Sequence, residues 1–246
     1  MARSIRQSLT DMDLGVAAYE ENFMTHYLYE AIADGALCGF LPCDMTGLRA
    51  VKESYELEAT RKASQIADQA FSDLLPYIKP GVTEKEMAAR LESNMLLLGS
   101  EEKSFTTIVA SGKRSAMPHG TASPKVIEKG DFVTFDFGAV WDGYHSDITR
   151  TVVVGKATQA QKDFYNLILE GQKMGVSLVK AGSSCRAIDY AVRNYFAGYH
   201  VSQYFTHSLG HGTGLEIHEQ PVLSPRSTGV LQENMIVTVE PGLYIE

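Results

Sequence analysis

The fold is decided by residues 132–154, which read FVTFDFGAVWDGYHSDITRTVVV. Two runs rich in β-branched and aromatic residues flank Asp142-Gly143, a dipeptide typical of two-residue hairpin turns. The pattern therefore predicts two antiparallel strands, at 132–137 and 148–154, joined through this turn.

A turn centred on Asp142-Gly143 pairs residues whose numbers sum to 285, so Asp136 faces Thr149 and Asp147 faces Gly138. Both aspartates then lie on one face of the ladder, with Cβ atoms about 7–8 Å apart or closer. Two carboxylates at 4 Å repel by about 4 kcal/mol at an effective dielectric constant of 20. Protonation would relieve this repulsion, but a divalent cation bound by several oxygens is the more natural solution. Arg150 could pair with these carboxylates or face solvent.

Elements of both kinds extend outward from this hairpin. Apolar spacing predicts an amphipathic helix over 56–78, and a capping box formed by Thr83 and Glu86 predicts a second helix that ends at Gly99 with Leu98 facing inward. Further elements are predicted as a strand at 106–110, a helix capped by Thr158 and Gln161 with Leu178 on its apolar face, a helix after Gly182, and a strand at 235–239.

The order of helices and strands repeats along the chain. Residues 78–83 align with 179–184 at an offset of 101, and 133–136 align with 237–240 at an offset of 104. Phe105-Thr106 similarly aligns with Phe205-Thr206. The repeat predicts two related α/β halves packed about a pseudo-twofold axis around one shared sheet. It also places Glu240 at the position equivalent to Asp136, which adds a third carboxylate between the halves.

Composition excludes several classes of protein. The 246 residues are 44% hydrophobic and 21% charged with a net charge of −8, which excludes a coiled coil, a disordered chain and a disulfide scaffold. No apolar run approaches the roughly 20 residues of a membrane span, and the acidic balance argues against nucleic acid as a partner. Three cysteines without metal-finger spacing and an N-terminus without a signal sequence predict a cytoplasmic protein.

The N-terminal part of the chain matches neither half of the repeat. A strand at 14–18, a helix at 22–33 and a strand at 37–41 are predicted there, too few to form an independent core. We therefore expect residues 1–47 to be a fragment or remnant of an N-terminal domain, and residues 48–246 to form the main domain.

Four of the seven histidines lie in short glycine-rich segments, which often line binding sites because glycine permits close approach of the backbone. These four are His119, His207, His211 and His218. The other three, His26, His145 and His200, have no such setting.

Five ordered motifs resemble those of the pita-bread-fold metallopeptidases, from about Leu48 to the C-terminus. They are Asp136-Phe137-Gly138, Ser146-Asp147-Ile148-Thr149-Arg150, Gly210-His211-Gly212, Ile217-His218-Glu219 and Val239-Glu240-Pro241-Gly242. Within this family, Val109-Ala110-Ser111-Gly112 and Ser115-Ala116-Met117-Pro118-His119-Gly120 are most similar to Xaa-Pro aminopeptidases (aminopeptidase P), and Xaa-Pro dipeptidases resemble the chain nearly as well.

The resemblance implies an α+β pita-bread (creatinase/aminopeptidase) fold, with two pseudo-symmetric halves around a curved antiparallel sheet. It implies two divalent metal ions, with manganese expected and cobalt or zinc as alternatives, bound by Asp136, Asp147, His211 and Glu240. His119 and His218 are then expected to be catalytic and to bind substrate, with His207 nearby as a further substrate-binding residue.

The implied activity is that of a metal-dependent aminopeptidase, a hydrolase that removes the N-terminal residue from peptides with proline in second position. The alternatives are an Xaa-Pro dipeptidase and a catalytically silent pita-bread domain that binds a peptide or protein. No nucleic acid or membrane is expected as a partner, and the resemblance is compatible with a homodimer.

The family uses a fifth metal ligand, a second glutamate on a strand beyond the Val-Glu-Pro-Gly motif. By the repeat offset this residue would fall near position 251, and Glu246 is not assigned as its substitute. We therefore expect the last strands to be missing, the second metal position to be weak and the activity of this chain to be impaired.

Overall fold

The computed structural model describes residues 1–245, and the chain divides into two compact units, 1–48 and 49–246. In the first unit, two parallel strands are accompanied by two helices. Its elements are α1 (Ala2–Asp11), β1 (Val16–Glu20), α2 (His26–Ala33) and β2 (Gly39–Cys43). The strand-helix-strand order was predicted, but α1 was not, because its largely polar sequence buries no residue. Glu246 lies outside the described residues.

The first half of the second unit is built from two long helices and an antiparallel sheet. After the short helix α3 (Thr46–Ala50), its elements are α4 (Ser54–Leu74), α5 (Glu84–Leu97), β3 (Ile108–Ser111), β4 (Phe132–Phe137), β5 (Val140–Trp141), β6 (Tyr144–His145) and β7 (Ile148–Val153). The strand order β3-β4-β7 is antiparallel throughout.

The predicted hairpin is confirmed. Asp136 pairs with Thr149 in β4 and β7, and β5 pairs with β6 in the same register. Asp142 and Gly143 have φ angles of 51° and 74°, as a turn with two left-handed central residues requires. The two-residue turn thus fixes which residues of β4 and β7 face each other.

The second half repeats this plan. Its elements are α6 (Gln159–Leu178), α7 (Cys185–Gly198), β8 (Gly210–Gly212) and β9 (Glu219–Leu223). Gly81 and Gly182, both with positive φ, donate to the carbonyls of Ile127 and Leu231 at equivalent places before α5 and α7. The structure therefore carries the internal repeat that the sequence predicts.

The predicted helix caps are present, but two leucines that were predicted to be buried are exposed. Thr83 and Thr158 cap α5 and α6 with complete capping boxes. Leu98 and Leu178 are each 37% exposed. Leu98 follows the last residue of α5 and Leu178 ends α6, so neither continues the buried face of its helix.

The strand predicted at 235–239 is not assigned as one. The segment instead forms isolated bridges, Val51 with Met235 and Gly212 with Val237. The Thr238 and Glu240 amides donate to the carbonyls of His211 and Leu209, so the segment follows the edge of β8 without a continuous ladder.

Buried and partly buried side chains alternate along β4, so one face of the sheet packs into the core and the other face points away from it. Val133, Phe135 and Phe137 are fully buried, and Phe71 of α4 packs on both phenylalanines with ring centroids 5.4 and 5.5 Å apart. Because successive strand residues point to opposite faces, Asp136 projects away from this core. Among residues 1–245, no helix combines the length and apolar character needed to span a bilayer.

Candidate metal centre

Asp136 and Asp147 come from the two arms of the hairpin. The Thr149 hydroxyl donates to Asp136 Oδ1 at 3.2 Å across the β4–β7 ladder. Asp147 follows Ser146, whose hydroxyl accepts from the Ala139 amide at 3.0 Å. A Cβ on Gly138 would overlap the Ser146 carbonyl oxygen, so only glycine permits this close passage of the two arms.

His211 and Glu240 enter from the second half. The His211 amide donates to Thr238 Oγ1 at 3.0 Å, and that hydroxyl donates to Glu240 Oε1 at 2.9 Å. A Cβ on Gly210 would overlap the Thr238 carbonyl oxygen, so glycine is again required where the two segments meet. Thr238 therefore links the backbone of His211 to the side chain of Glu240.

Three of the predicted ligands converge on one point. His211 Nε2 lies 3.3 Å from Asp147 Oδ2 and 3.2 Å from Glu240 Oε1. One ligand atom of each of these three residues lies within 4.8 Å of the other two. Asp136 is not part of that tightest group among the described residues, although the charges of Asp147 and Glu240 act on it directly.

The electrostatics indicate an excess of negative charge. Burial, together with Asp147 and Glu240, raises the pKa of Asp136 to about 7. Burial also raises the pKa of Asp147. Burial opposes protonation of His211, but hydrogen bonds to Asp147 and Glu240 outweigh it and raise its pKa to about 10. The cluster therefore stabilises one positive charge among three partly buried carboxyls.

The same donor set fits a divalent cation. His211 Nδ1 lies 2.9 Å from the Gly212 carbonyl oxygen, so the Nδ1 proton is donated there and Nε2 faces the carboxylates. A backbone acceptor for the second ring nitrogen is the usual arrangement of a metal-binding histidine. Carboxylate oxygens with one imidazole suit manganese, cobalt or zinc. The residues present are therefore compatible with the metal that the sequence predicts.

His207 lies in the wall of a cavity of about 1070 Å³ that also reaches Asp136, Asp147 and Glu240. Its Nδ1 donates to the Ser208 carbonyl at 2.7 Å, which leaves Nε2 to accept from the Tyr244 hydroxyl at 3.0 Å. Burial, followed by the charges of Glu240 and Asp136, raises the pKa of Tyr244 to about 12. Tyr244 was not predicted as a site residue, because no spacing rule joins it to a histidine 37 residues away.

His218 and His119 have different settings. The His218 ring stands edge-on to the His211 ring, with centroids 4.4 Å apart, and burial followed by the His211 charge lowers the His218 pKa. His119 lies on an exposed turn and is not among the described residues that line the cavity, although Ser115–Pro118 are. The structure thus places the His218 ring beside His211, while His218, like His119, is exposed and is not among the described residues that line the cavity.

Arg150 does not join the carboxylate cluster. It pairs with Phe135 in the ladder, so it projects from the face of the sheet opposite Asp136. Its guanidinium donates to Asp68 Oδ1 of α4 at 2.7 Å. Strand alternation thus excludes pairing with the cluster, and the partly exposed side chain forms a surface ion pair with Asp68 instead of facing solvent alone.

Two α/β halves jointly supply clustered carboxylates and a histidine. This arrangement is the one expected of the pita-bread metallopeptidases, which is the class of this protein. The model of metallopeptidase family M24 matches residues 58–246, and the chain belongs to this family.

Solved and curated relatives agree with the fold. The structure superimposes on an Xaa-Pro dipeptidase from Bacillus anthracis with a TM-score of 0.95 and 44% identity, covering 99% of this chain and 69% of that one. An X-Pro aminopeptidase from Thermotoga maritima gives a TM-score of 0.94 at 38% identity, covering 100% and 70%. An Xaa-Pro dipeptidase from Pyrococcus horikoshii is 46% identical over 198 residues, 80% of this chain and 56% of the relative. The α+β pita-bread prediction is therefore confirmed.

The chain is shorter than its relatives. It spans 56% to 65% of the length of the first curated proteins that it matches.

Proposed function

We propose that this chain carries the metal-binding and catalytic residues of an Xaa-Pro dipeptidase, a hydrolase that cleaves the bond before proline in a dipeptide. The sequence favoured an aminopeptidase as the main interpretation. The relatives support the dipeptidase alternative better, since the Pyrococcus and Bacillus anthracis proteins both bear that name. The observation that carries the proposal is the convergence of Asp147, His211 and Glu240 within 4.8 Å.

In this proposal Asp136, Asp147, His211 and Glu240 hold two divalent ions, with manganese as the expected metal. When bound, such ions polarise a scissile carbonyl and lower the pKa of a bound water to near neutrality. The Thr149 hydroxyl keeps Asp136 oriented and the Thr238 hydroxyl keeps Glu240 oriented. These hydrogen bonds fix donor atoms before a metal arrives, which reduces the entropy lost on binding.

The remaining site residues handle the substrate and its protons. His218 stands beside His211 and is proposed to hold or transfer a proton at a ring nitrogen during cleavage. His207 keeps its Nε2 paired with the Tyr244 hydroxyl on the cavity wall, where the two can orient a bound peptide. His119 is proposed to act from the turn after the cavity-lining residues 115–118, provided that substrate binding draws this turn inward.

Xaa-Pro aminopeptidase activity is the second candidate, favoured by the similarity to the Thermotoga maritima enzyme. The two activities differ in where the substrate ends. A dipeptidase releases free proline and rejects longer peptides, whereas an aminopeptidase accepts them.

The test compares Ala-Pro with Ala-Pro-Ala in the presence of manganese, with release of alanine measured by chromatography. Release from Ala-Pro, with at least 10-fold lower kcat/KM on the tripeptide, supports the dipeptidase proposal. Preference for the tripeptide supports the aminopeptidase. An Asp147→Asn variant is the control for contaminating peptidases and should release no alanine from either peptide.

Binding of the tripeptide or dipeptide without cleavage, in a chain that retains manganese, would contradict both enzymatic assignments and favour the silent binding domain. The three cysteines are free thiols, which fits the reducing cytoplasm that we propose as the setting of this chain. A homodimer stays a prediction of the family resemblance.

A further inference from the structure

A buried ion pair joins the beginning of the second unit to the glycine-rich segment of its second half. Lys52 Nζ lies 2.6 Å from Glu219 Oε2, and the two side chains are only 1% and 5% exposed. Lys52 also donates through Nζ to the Arg49 carbonyl at 2.5 Å and through its amide to the Asn234 carbonyl at 3.0 Å. Two charges buried this completely are tolerated only when their geometry and hydrogen bonds are good.

The second oxygen of Glu219 organises the neighbouring loop. Glu219 Oε1 accepts from the Glu216 amide at 3.1 Å, which closes the chain around His218. A Cβ on Gly214 would lie 2.7 Å from Glu219 Oε2 and 2.8 Å from Lys52 Nζ, so the ion pair fills the space against this part of the loop. The conformation of residues 214–219 therefore depends on the pair.

The same loop sets the position of His218, whose ring stands edge-on to His211 at a centroid distance of 4.4 Å. We propose that Lys52 and Glu219 are positioning residues that hold His218 against the metal centre. The catalytic meaning of this inference rests on the function proposed above. Lys52 and Glu219 are not among the described residues that line the cavity, so neither is proposed to contact the substrate itself.

The position of His218 can be measured without any enzymatic activity. The chain is labelled with ¹³C-histidine, and the His218 ring resonance is assigned by its loss in a His218→Ala variant. Lys52→Met removes the ammonium while keeping an unbranched side chain. The expected result is a shifted or broadened His218 resonance with an unchanged His119 resonance. An Arg61→Met variant removes an exposed ion pair with Glu58 and should leave both resonances unchanged.

A double-mutant cycle on Xaa-Pro hydrolysis supplies the second readout. Lys52→Met should lower kcat/KM by at least about 10-fold in the unmodified chain and by less than about 2-fold in the His218→Ala background, because the two residues act as one unit. Equal losses in both backgrounds, or an unmoved His218 resonance, would overturn the inference. If Lys52→Met does not fold, Glu219→Gln is measured in the same way, since it keeps an acceptor for the Glu216 amide.

These measurements distinguish a failure of the proposed peptidase function from a failure of the positioning role of Lys52 and Glu219. A chain without peptidase activity on any Xaa-Pro peptide would contradict the proposed function, while the NMR measurement still decides whether the ion pair positions His218. If the chain hydrolyses Xaa-Pro peptides but the losses in kcat/KM caused by Lys52→Met and His218→Ala are additive, only the positioning role is contradicted.

Discussion

Glu84 at the start of α5 offers a prediction about stability that is independent of the metal centre. Its carboxylate is fully buried and accepts five hydrogen bonds, from the amides and hydroxyls of Ser111 and Ser123 at 2.6–3.0 Å and from Arg114 Nε at 3.1 Å. Ser111 and Ser123 flank the segment that carries His119. Glu84 thus ties α5 to both ends of that segment.

Replacement of Glu84 by alanine leaves these donors buried without their acceptor. Removal of one partner from a buried charged pair costs about 3–5 kcal/mol. For a chain of this size, 1 kcal/mol shifts Tm by about 2–4 °C, so we expect Tm to fall by roughly 6–20 °C. Glu84→Gln retains one acceptor oxygen but turns an NH₂ group toward donors, and should cost about 1–3 kcal/mol.

The unfolding free energy lost on replacing Glu84 should depend on pH in a defined direction. Burial alone would raise the pKa of Glu84, but hydrogen bonds from Ser123 and Ser111 outweigh it and hold the pKa below its ordinary value of 4.5. The stabilisation is therefore fully present above pH 4.5 and is lost as the pH falls through the lower pKa of the folded state. The difference in unfolding free energy between the unmodified chain and Glu84→Gln should shrink on acidification.

Urea denaturation followed by circular dichroism at pH 7 and at successively lower pH values measures these differences. Glu58→Gln is the matched control, because its side chain is 70% exposed in a surface ion pair and should change stability by less than about 1 kcal/mol. A Glu84→Gln variant as stable as Glu58→Gln, or a difference that grows as the pH falls, would refute this reasoning.

Two further changes test the core and the support of the metal centre. Phe135→Ala removes a fully buried ring packed on Phe71 and should cost about 3–5 kcal/mol in urea denaturation, whereas a loss below 1 kcal/mol would contradict the assigned core. Thr238→Val removes the hydroxyl that links the His211 amide to Glu240 and should weaken manganese affinity by about 10-fold or more in calorimetric titration, and unchanged affinity would show that Glu240 needs no such support.

Much of the second unit could be predicted because its signals are local. The Asp142-Gly143 turn fixes the register that pairs Asp136 with Thr149, and the capping boxes at Thr83 and Thr158 mark where α5 and α6 begin. The offset between the halves placed Glu240 near the hairpin carboxylates. These patterns involve neighbours in sequence or a repeated unit, so a single chain is enough to detect them.

Other features depend on contacts between distant residues and left no such pattern. Lys52 and Glu219 are 167 residues apart, and nothing in the sequence joins them. The same holds for His207 and Tyr244. The segment at 235–239 has the composition of a strand, yet it forms isolated bridges, because strand assignment depends on continuous pairing and not on composition alone.

The central claim is that Asp136, Asp147, His211 and Glu240 form a divalent metal site. Isothermal titration of the metal-free chain with manganese, checked by elemental analysis after dialysis, tests it directly. We predict that the unmodified chain and a His200→Ala control bind manganese equally, and that Asp147→Asn and His211→Ala each bind at least about 10-fold more weakly. Equal binding by all four chains, or no binding by the unmodified chain, would contradict the claim.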